Sequence, residues 1–257
     1  MVQEGNTERP LTARSVLASI LLGTRPPELS GQRLVRAGEL FGLAEGTTRV
    51  ALSRMVAAGE LAADDGRYRL TGPLLARQQR QELSRRAPPR AWDGTWVVAV
   101  VDHTGPRQPA ERIELRRALG RARLAEWREG VWVRPDNLGS MDHHPSCTWL
   151  TARLTDAAEA PALAARLWDL DDWALRADRL RSRMASTLGQ LEAGDAAALA
   201  PCFLTAAAVV RHLQADPLLP DDVLASTWPG GALRADYDGY EATYQSVLRS
   251  ALRGLAR

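Results

Sequence analysis

The stretch Glu45–Leu61 (EGTTRVALSRMVAAGEL) constrains this chain most, because it divides into two unlike faces when it is drawn as a helix. One face carries residues suited to a core: Thr48, Ala51, Leu52, Met55 and Val56. The other carries small, hydroxyl and basic residues: Gly46, Thr47, Arg49, Val50, Ser53 and Arg54. That second face has no carboxylate and fits a DNA major groove, where Arg pairs with guanine and Val contacts a thymine methyl. An ordinary surface helix with two arginines would give the same pattern. The residues after Leu61 are therefore needed to distinguish a DNA-contacting helix from a surface helix.

A basic hairpin is predicted directly after this helix. Gly59 suits the left-handed residue that ends a helix, and Asp65-Gly66 is typical of a tight hairpin turn. Arg67–Leu70 then forms a returning strand, with Arg67 and Arg69 on one side and Tyr68 on the other. Two helices capped by Thr12 and Ser30 precede this region, so the order indicates a winged helix-turn-helix. The predicted DNA contacts are Thr47, Arg49, Val50, Ser53, Arg54, Arg67, Tyr68 and Arg69.

The distribution of charge supports a nucleic-acid partner for the N-terminal part. The 257 residues carry a net charge of +2, and all 33 basic residues are Arg. Residues 1–91 hold 14 Arg and 9 acidic residues (net +5), and residues 92–257 hold 19 Arg and 22 acidic residues (net −3). The positive excess therefore lies with the predicted recognition helix. The lack of Lys excludes Schiff-base lysines and phosphate loops that end in Gly-Lys.

The predicted fold class is α+β, with a winged helix-turn-helix, a central ferredoxin-like domain and a helical C-terminal domain. A ferredoxin-like domain is expected because a strand (Thr95–Val101) is followed by a helix, two further strands and another helix. Leu167–Leu170 is expected to supply its last strand. The predicted boundaries are residues 10–72, a connecting helix and linker over 73–90, and domains over 91–171 and 172–257.

The remaining features indicate a cytoplasmic protein. We expect no membrane span and no signal peptide, since no long apolar run is apparent and MVQEGNTERP lacks the required pattern. Cys147 and Cys202 cannot form a disulfide framework and are expected in the core.

Two constellations favour other kinds of function. Asp102 ends the first central strand, at about the position of the metal-binding Asp in the CRISPR-associated ferredoxin-like nucleases, so a metal-dependent nuclease is the alternative function. The loop Asp142-His143-His144-Pro145-Ser146-Cys147 concentrates metal-ligand residue types, although no second cluster supports it. A non-catalytic scaffold that uses the winged helix for protein contacts is a third possibility.

Several segments in the expected order resemble the PaaX family of bacterial transcriptional repressors. They are the helix and hairpin above, Trp92–Trp96 (WDGTW), Glu129–Leu138 (EGVWVRPDNL), Asp216–Pro220 (DPLLP) and Trp228–Gly230 (WPG). The resemblance spans nearly the whole chain. It implies the three-domain architecture above and a repressor of a catabolic operon.

The same resemblance implies the partners of the chain. These are a double-stranded operator with an inverted repeat, a second copy that completes a homodimer, and an aromatic acyl-CoA, such as phenylacetyl-CoA, that releases the DNA. Trp132 and Arg134 lie inside one of the matching segments and are the candidate effector contacts. We expect no catalytic residue, no metal and no cofactor.

Overall fold

The computed structural model describes residues 12–24, 26–72, 74–76, 91–102, 108–139 and 141–254. The chain forms two compact units. The first comprises residues 1–83, 179–211 and 233–257, and the second comprises residues 84–178 and 212–232. Each unit contains helices and a small antiparallel sheet, so the α+β class is confirmed at this level. Most of the predicted connecting helix and linker lies outside the described residues.

The first unit begins with three helices and a three-stranded sheet. The elements are α1 (Ala13–Gly23), β1 (Glu28–Ser30), α2 (Gly31–Glu39), α3 (Glu45–Ala57), β2 (Leu61–Asp64) and β3 (Arg67–Leu70). The predicted caps are confirmed: the Thr12 hydroxyl accepts a hydrogen bond from the Ser15 amide, and the Ser30 hydroxyl accepts one from the Arg33 amide. Ala44 precedes α3 and has no side chain that could cap it.

These elements enclose one apolar core. The fully buried residues include Leu17, Leu21, Leu34, Leu52 and Met55. On α3, Thr48, Leu52 and Met55 are buried, as predicted for its core face. Burial of this stripe fixes the rotation of α3 about its axis, and the opposite face is therefore exposed.

The approach of α2 to α3 depends on one glycine. A Cβ atom added at Gly38 would lie only 2.6 Å from Oγ1 of Thr48, a distance that real Cβ contacts essentially never show. Thr48 is fully buried, and within the described residues its hydroxyl has no hydrogen-bond partner. Because Thr48 is β-branched and lies in a packed helix, its side chain has little freedom to move away. The absence of a side chain at Gly38 therefore allows the two helices to approach this closely.

The hairpin forms at the predicted turn and gains a third strand. Asp65 and Gly66 have φ values of +43° and +68°, the two positive values that a type I′ turn requires. β3 pairs with β2 on one side and with β1 on the other. β1 was not predicted from the sequence, because it has three residues and its partner lies about forty positions further along the chain.

The second unit is built on a four-stranded antiparallel sheet. Its elements are β4 (Thr95–Val101), α4 (Pro109–Arg121), β5 (Ala125–Arg128), β6 (Val131–Pro135), β7 (Cys147–Arg153) and α5 (Ala160–Leu167). The strand order is β5-β6-β4-β7, with β4 inside the sheet. Trp96 and Val98 of β4 pack on one face with α5, whereas Ala99 and Val101 pack on the other with α4. β4 therefore contributes side chains to both cores, as its run of β-forming residues predicted.

The prediction of a last strand over Leu167–Leu170 is wrong. Leu167 ends α5 and Leu170 begins the next helix, and the fourth strand is β7. Trp168 caps the end of α5 through its amide, which donates to the carbonyl of Ala164. The Asp169 carboxylate accepts a hydrogen bond from the Asp172 amide. These cap contacts give the segment a turn between two helices.

Three long helices complete the chain: α6 (Leu170–Glu192), α7 (Leu199–Gln214) and α8 (Gly230–Gly254). The sequence predicted that the C-terminal part is helical, and these helices agree with that prediction. Within the described residues, the stretch Ala196–Gln214 is long and apolar enough to cross a membrane by length and composition, in contrast to the expectation of no such run. Core helices pass the same test, and Leu199, Cys202 and Val209 of α7 are fully buried.

We predict that Gly38→Ala lowers the free energy of unfolding by about 1–3 kcal/mol, the usual cost of overpacking. The matched control is Gly46→Ala on α3, where a Cβ meets nothing within 4 Å. That variant should raise the free energy of unfolding by roughly 0.5–1 kcal/mol, through helix propensity alone. Urea denaturation measures both, and equal stability changes in the two variants would contradict a role for Gly38 in the close approach of the helices.

Candidate nucleic-acid interface

The outer face of α3 is exposed along its whole length. All six residues predicted for it are solvent-accessible: Gly46, Thr47, Arg49, Val50, Ser53 and Arg54. Val50 is 51% exposed, so this face includes an apolar side chain beside the basic and hydroxyl groups. The structure therefore presents hydroxyl, basic and small apolar groups together on one exposed helix face.

Arg49 has a carboxylate neighbour that was not predicted from the two faces of the helix. Its Nε and Nη2 atoms lie 2.8 Å and 2.7 Å from Oε1 of Glu45, one helical turn earlier. Both side chains are more than half exposed, so the pair contributes little to stability. Arg54 forms no such pair within the described part of the chain. Arg49 therefore presents a charge that is offset by Glu45, whereas Arg54 presents a charge with no acidic partner among the described residues.

The two arginines of the hairpin, Arg67 and Arg69, also differ in whether they have an acidic partner. Arg67 pairs with Glu28 of β1, while Arg69 is exposed and has no ion-pair partner among the described residues. Tyr68 is half-buried and packs against the core of the unit. Its ring also lies beside Gly31, where an added Cβ would be 3.0 Å from Cε2 of Tyr68. Tyr68 therefore serves mainly to attach the hairpin, and the two arginines form its outer surface.

A concave surface lies between the N-terminus of α1 and the outer face of α3. It has a volume of about 710 Å³, and its lining includes Thr12, Arg14, Thr47, Val50 and Arg54. Arg14 pairs with Glu60 across this concavity. Backbone amides and a cation at the start of a helix are groups that bind phosphate. The concavity therefore extends the exposed face of α3 with groups suited to a DNA backbone.

In the second unit, Trp132 lies in the core with Leu115 and Leu119 of α4. The guanidinium of Arg116 lies 5.8 Å from the centre of its ring and also pairs with Glu126. Arg121, another arginine of this helix, pairs with Glu114. Trp132 is thus mostly a packing residue in this structure, with a cation over one side of its ring.

Arg134 is a buried cation with few partners. Its side chain is 3% exposed, and its Nε and Nη1 atoms have no hydrogen-bond partner among the described residues. Its Nη2 atom donates one long bond, of 3.5 Å, to the carbonyl of Gly139. Burial lowers the pKa of the guanidinium, the neighbouring Arg123 lowers it further, and the carboxylate of Asp136 raises it. A buried charge with unsatisfied donors is costly, so Arg134 is a candidate for a functional role.

The alternative metal sites are less well supported by the geometry. The Asp102 carboxylate accepts a hydrogen bond of 2.8 Å from the Thr148 hydroxyl. His143 stacks on Trp149, and Nδ1 of His144 accepts from the Ser146 amide, so both imidazoles have local packing roles. Within the described residues, no group of three or more His, Cys, Asp or Glu side chains could hold a metal ion.

Two family models and a solved structure are similar to this chain. The models are described as PaaX-like protein and PaaX-like protein C-terminal domain, and they match residues 12–74 and 168–253. Among solved structures, the uncharacterized protein Rv0674 from Mycobacterium tuberculosis is similar, with 40% identity and a TM-score of 0.77. That match covers 93% of this chain and 98% of the other chain. No curated protein matches the chain.

We predict that Glu28→Gln tightens binding to duplexes of unrelated sequence. The substitution frees Arg67 and removes a negative charge from the hairpin, so one more phosphate contact can form. The slope of log affinity against log salt concentration should steepen by up to about 0.9. The control is Glu192→Gln, an exposed position on α6 with the same change in net charge. Identical affinities and slopes for the two variants would show that the hairpin does not contact DNA.

Proposed function

The chain belongs to the PaaX-like protein family, and on that basis we propose that it is a repressor which a small ligand releases from its operator. At the level of the family, the chain is a DNA-binding transcriptional regulator. Regulators of this family are usually not enzymes, and the proposal assigns no catalytic residue. The observation that carries the proposal is the exposed basic face of α3, which lies opposite a buried stripe on the same helix.

Under this proposal, the first three helices and the hairpin are a winged helix-turn-helix. α3 enters the major groove, where Arg49 and Arg54 pair with guanine, Thr47 and Ser53 donate to bases or phosphates, and Val50 contacts a thymine methyl. Arg67, Tyr68 and Arg69 on the hairpin contact the sugar-phosphate backbone or the minor groove. The supporting geometry is the order of the elements and the shared exposure of these basic groups.

A single winged helix buries too little surface to bind a specific operator tightly, so we propose that two copies bind an inverted repeat. Each copy supplies one α3. We also interpret the four-stranded sheet as a variant of the ferredoxin-like arrangement. β4 and β5 flank β6 and are joined by α4, which is a split β-α-β unit. The second helix of that arrangement, however, follows the fourth strand here instead of preceding it.

The experiment that tests the function uses the intergenic DNA upstream of the chain's own gene. We expect a footprint with two half-sites about one helical turn apart. Arg54→Ala and Arg49→Ala should each lose about 1–3 kcal/mol of specific binding and relax the base preference at one position of each half-site. Arg249→Ala, an exposed arginine on α8, is the control for loss of charge. If all three variants bind the operator with equal affinity, α3 is not the helix that contacts the bases.

We propose that the effector is an aromatic acyl-CoA and that Trp132 and Arg134 contact it. Arg134 has the donors that an acyl thioester oxygen or a phosphate would accept from. The exposed pairs of Arg116 and Arg121 can exchange their carboxylates for the phosphates of CoA at low cost. For a near-complete switch, the ligand must favour the released state by about 5.5 kcal/mol.

Replacement of Arg134 distinguishes a role in effector binding from a role in the stability of the fold. We predict that Arg134→Met leaves the free energy of unfolding unchanged or raises it by up to about 4 kcal/mol, because it removes a buried charge without a full set of partners. The same variant should bind operator normally but no longer release it in phenylacetyl-CoA. Arg117→Met, an exposed arginine on α4, should behave as the parent protein in both assays. A large loss of stability in Arg134→Met would show that the charge serves the fold.

A further inference from the structure

A second concavity lies in the second unit, at the start of α6 and the end of α7. Its volume is about 230 Å³. The apolar part of its lining is formed by Trp168, Leu170, Trp173, Ala215 and Pro217, and His212 completes that surface. An apolar cavity of about 150 Å³ holds benzene, so this one is large enough for a single substituted ring. The proposed DNA-binding surface does not account for it.

Aromatic stacking holds one wall of the cavity in place. The ring of Trp173 stacks on that of His212, with centres 4.3 Å apart, and on that of Trp228, with centres 4.5 Å apart. Nε2 of His212 donates to the carbonyl of Trp173 at 3.0 Å, since a carbonyl can only accept. Burial lowers the pKa of His212, so the imidazole is uncharged at neutral pH. The wall is therefore a rigid, neutral aromatic surface.

Trp173, which lines the cavity, also carries an unsatisfied donor. Trp173 is 6% exposed, and its indole Nε1 has no hydrogen-bond partner in the part of the chain that the structure describes. A buried indole N–H ordinarily finds an acceptor, and leaving it without one costs free energy. The donor gives this aromatic wall a preference for a ligand that carries an acceptor.

The charges at the rim limit the ligand further. Asp172 pairs with Arg176, with Oδ2 and Nε 2.8 Å apart, so these two charges offset each other. Asp169 remains as an additional negative charge, and its Oδ1 accepts from the Asp172 amide. The lining thus carries one net negative charge, which disfavours an anionic group at this rim.

We propose that this cavity binds an uncharged aromatic ring that carries a hydrogen-bond acceptor. The ring stacks in the slot between the aromatic and apolar side chains, and the acceptor takes the Nε1–H of Trp173. The site is separate from Trp132 and Arg134. The proposal rests on the regulator function only for the effect of ligand binding on the DNA complex. Ligand binding itself is measured without DNA, so the proposed site and the proposed function can fail independently.

Fluorine NMR of the full chain tests the proposal with three probes that share one ring. Para-fluorobenzamide has the acceptor and no charge, para-fluorotoluene lacks the acceptor, and para-fluorobenzoate is an anion. We expect the amide to bind at least fivefold more tightly than either of the others. Ala215→Leu, which fills the slot from an exposed position, should weaken amide binding at least tenfold.

Trp173→Phe retains an aromatic ring but removes the donor. It should weaken amide binding about fivefold, the effect of one hydrogen bond, and leave toluene binding unchanged. Ala193→Leu, an exposed alanine after α6, is the control and should leave all three affinities unchanged. The proposal is overturned if the amide does not bind at millimolar concentration, or if it binds Ala215→Leu as tightly as the parent chain.

Discussion

The close packing of α2 on α3 is the constraint on which the proposed DNA-binding surface depends. Gly38 leaves room for Thr48, and the burial of Thr48 with Leu52 and Met55 sets which side of α3 faces outward. A shift of α3 by one residue would rotate its face by about 100° and bury the arginines. The unsatisfied hydroxyl of Thr48 is a cost of this arrangement, and the surrounding apolar core offsets it.

Ion pairs moderate the positive charge of that surface. Arg14, Arg49 and Arg67 each have an acidic partner, and all three guanidinium groups are more than half exposed. Exposed pairs of this kind contribute about 0–1 kcal/mol, so a phosphate can replace the carboxylate at little cost. Arg54 and Arg69 have no ion pair to exchange within the described residues.

Local pattern accounts for what the sequence could predict. The caps at Thr12 and Ser30, the positive φ values at Asp65 and Gly66, and the two faces of α3 all follow from neighbouring residues. β1 was missed because three residues carry no periodicity and the partner strand is distant. The pair of Glu45 with Arg49 was visible as an i, i+4 spacing but was overlooked. The isolation of Arg134 could not be predicted, since it depends on which side chains the fold brings near.

In the second unit, one short segment lies beside the surroundings of both Arg134 and Trp173. Arg123 donates to the carbonyls of Gln214 and Asp216, and its charge acts on Arg134. Ala215 and Pro217, on either side of Asp216, line the cavity beside Trp173. The segment is tightly held: Leu218 has a φ of +54°, which costs roughly 1–2 kcal/mol in a residue other than glycine. Hydrogen bonds to the buried Asn137 and Asp216 keep it in that conformation.

If the proposed ligand binds beside Trp173 and shifts the segment 214–218, it also changes the surroundings of Arg123 and, through its charge, of Arg134. Linkage then requires that an anion at Arg134 and a ring beside Trp173 alter each other's affinity by the same factor. The segment 214–218 is thus the part of this unit through which two ligand groups, or two parts of one ligand, would act on each other.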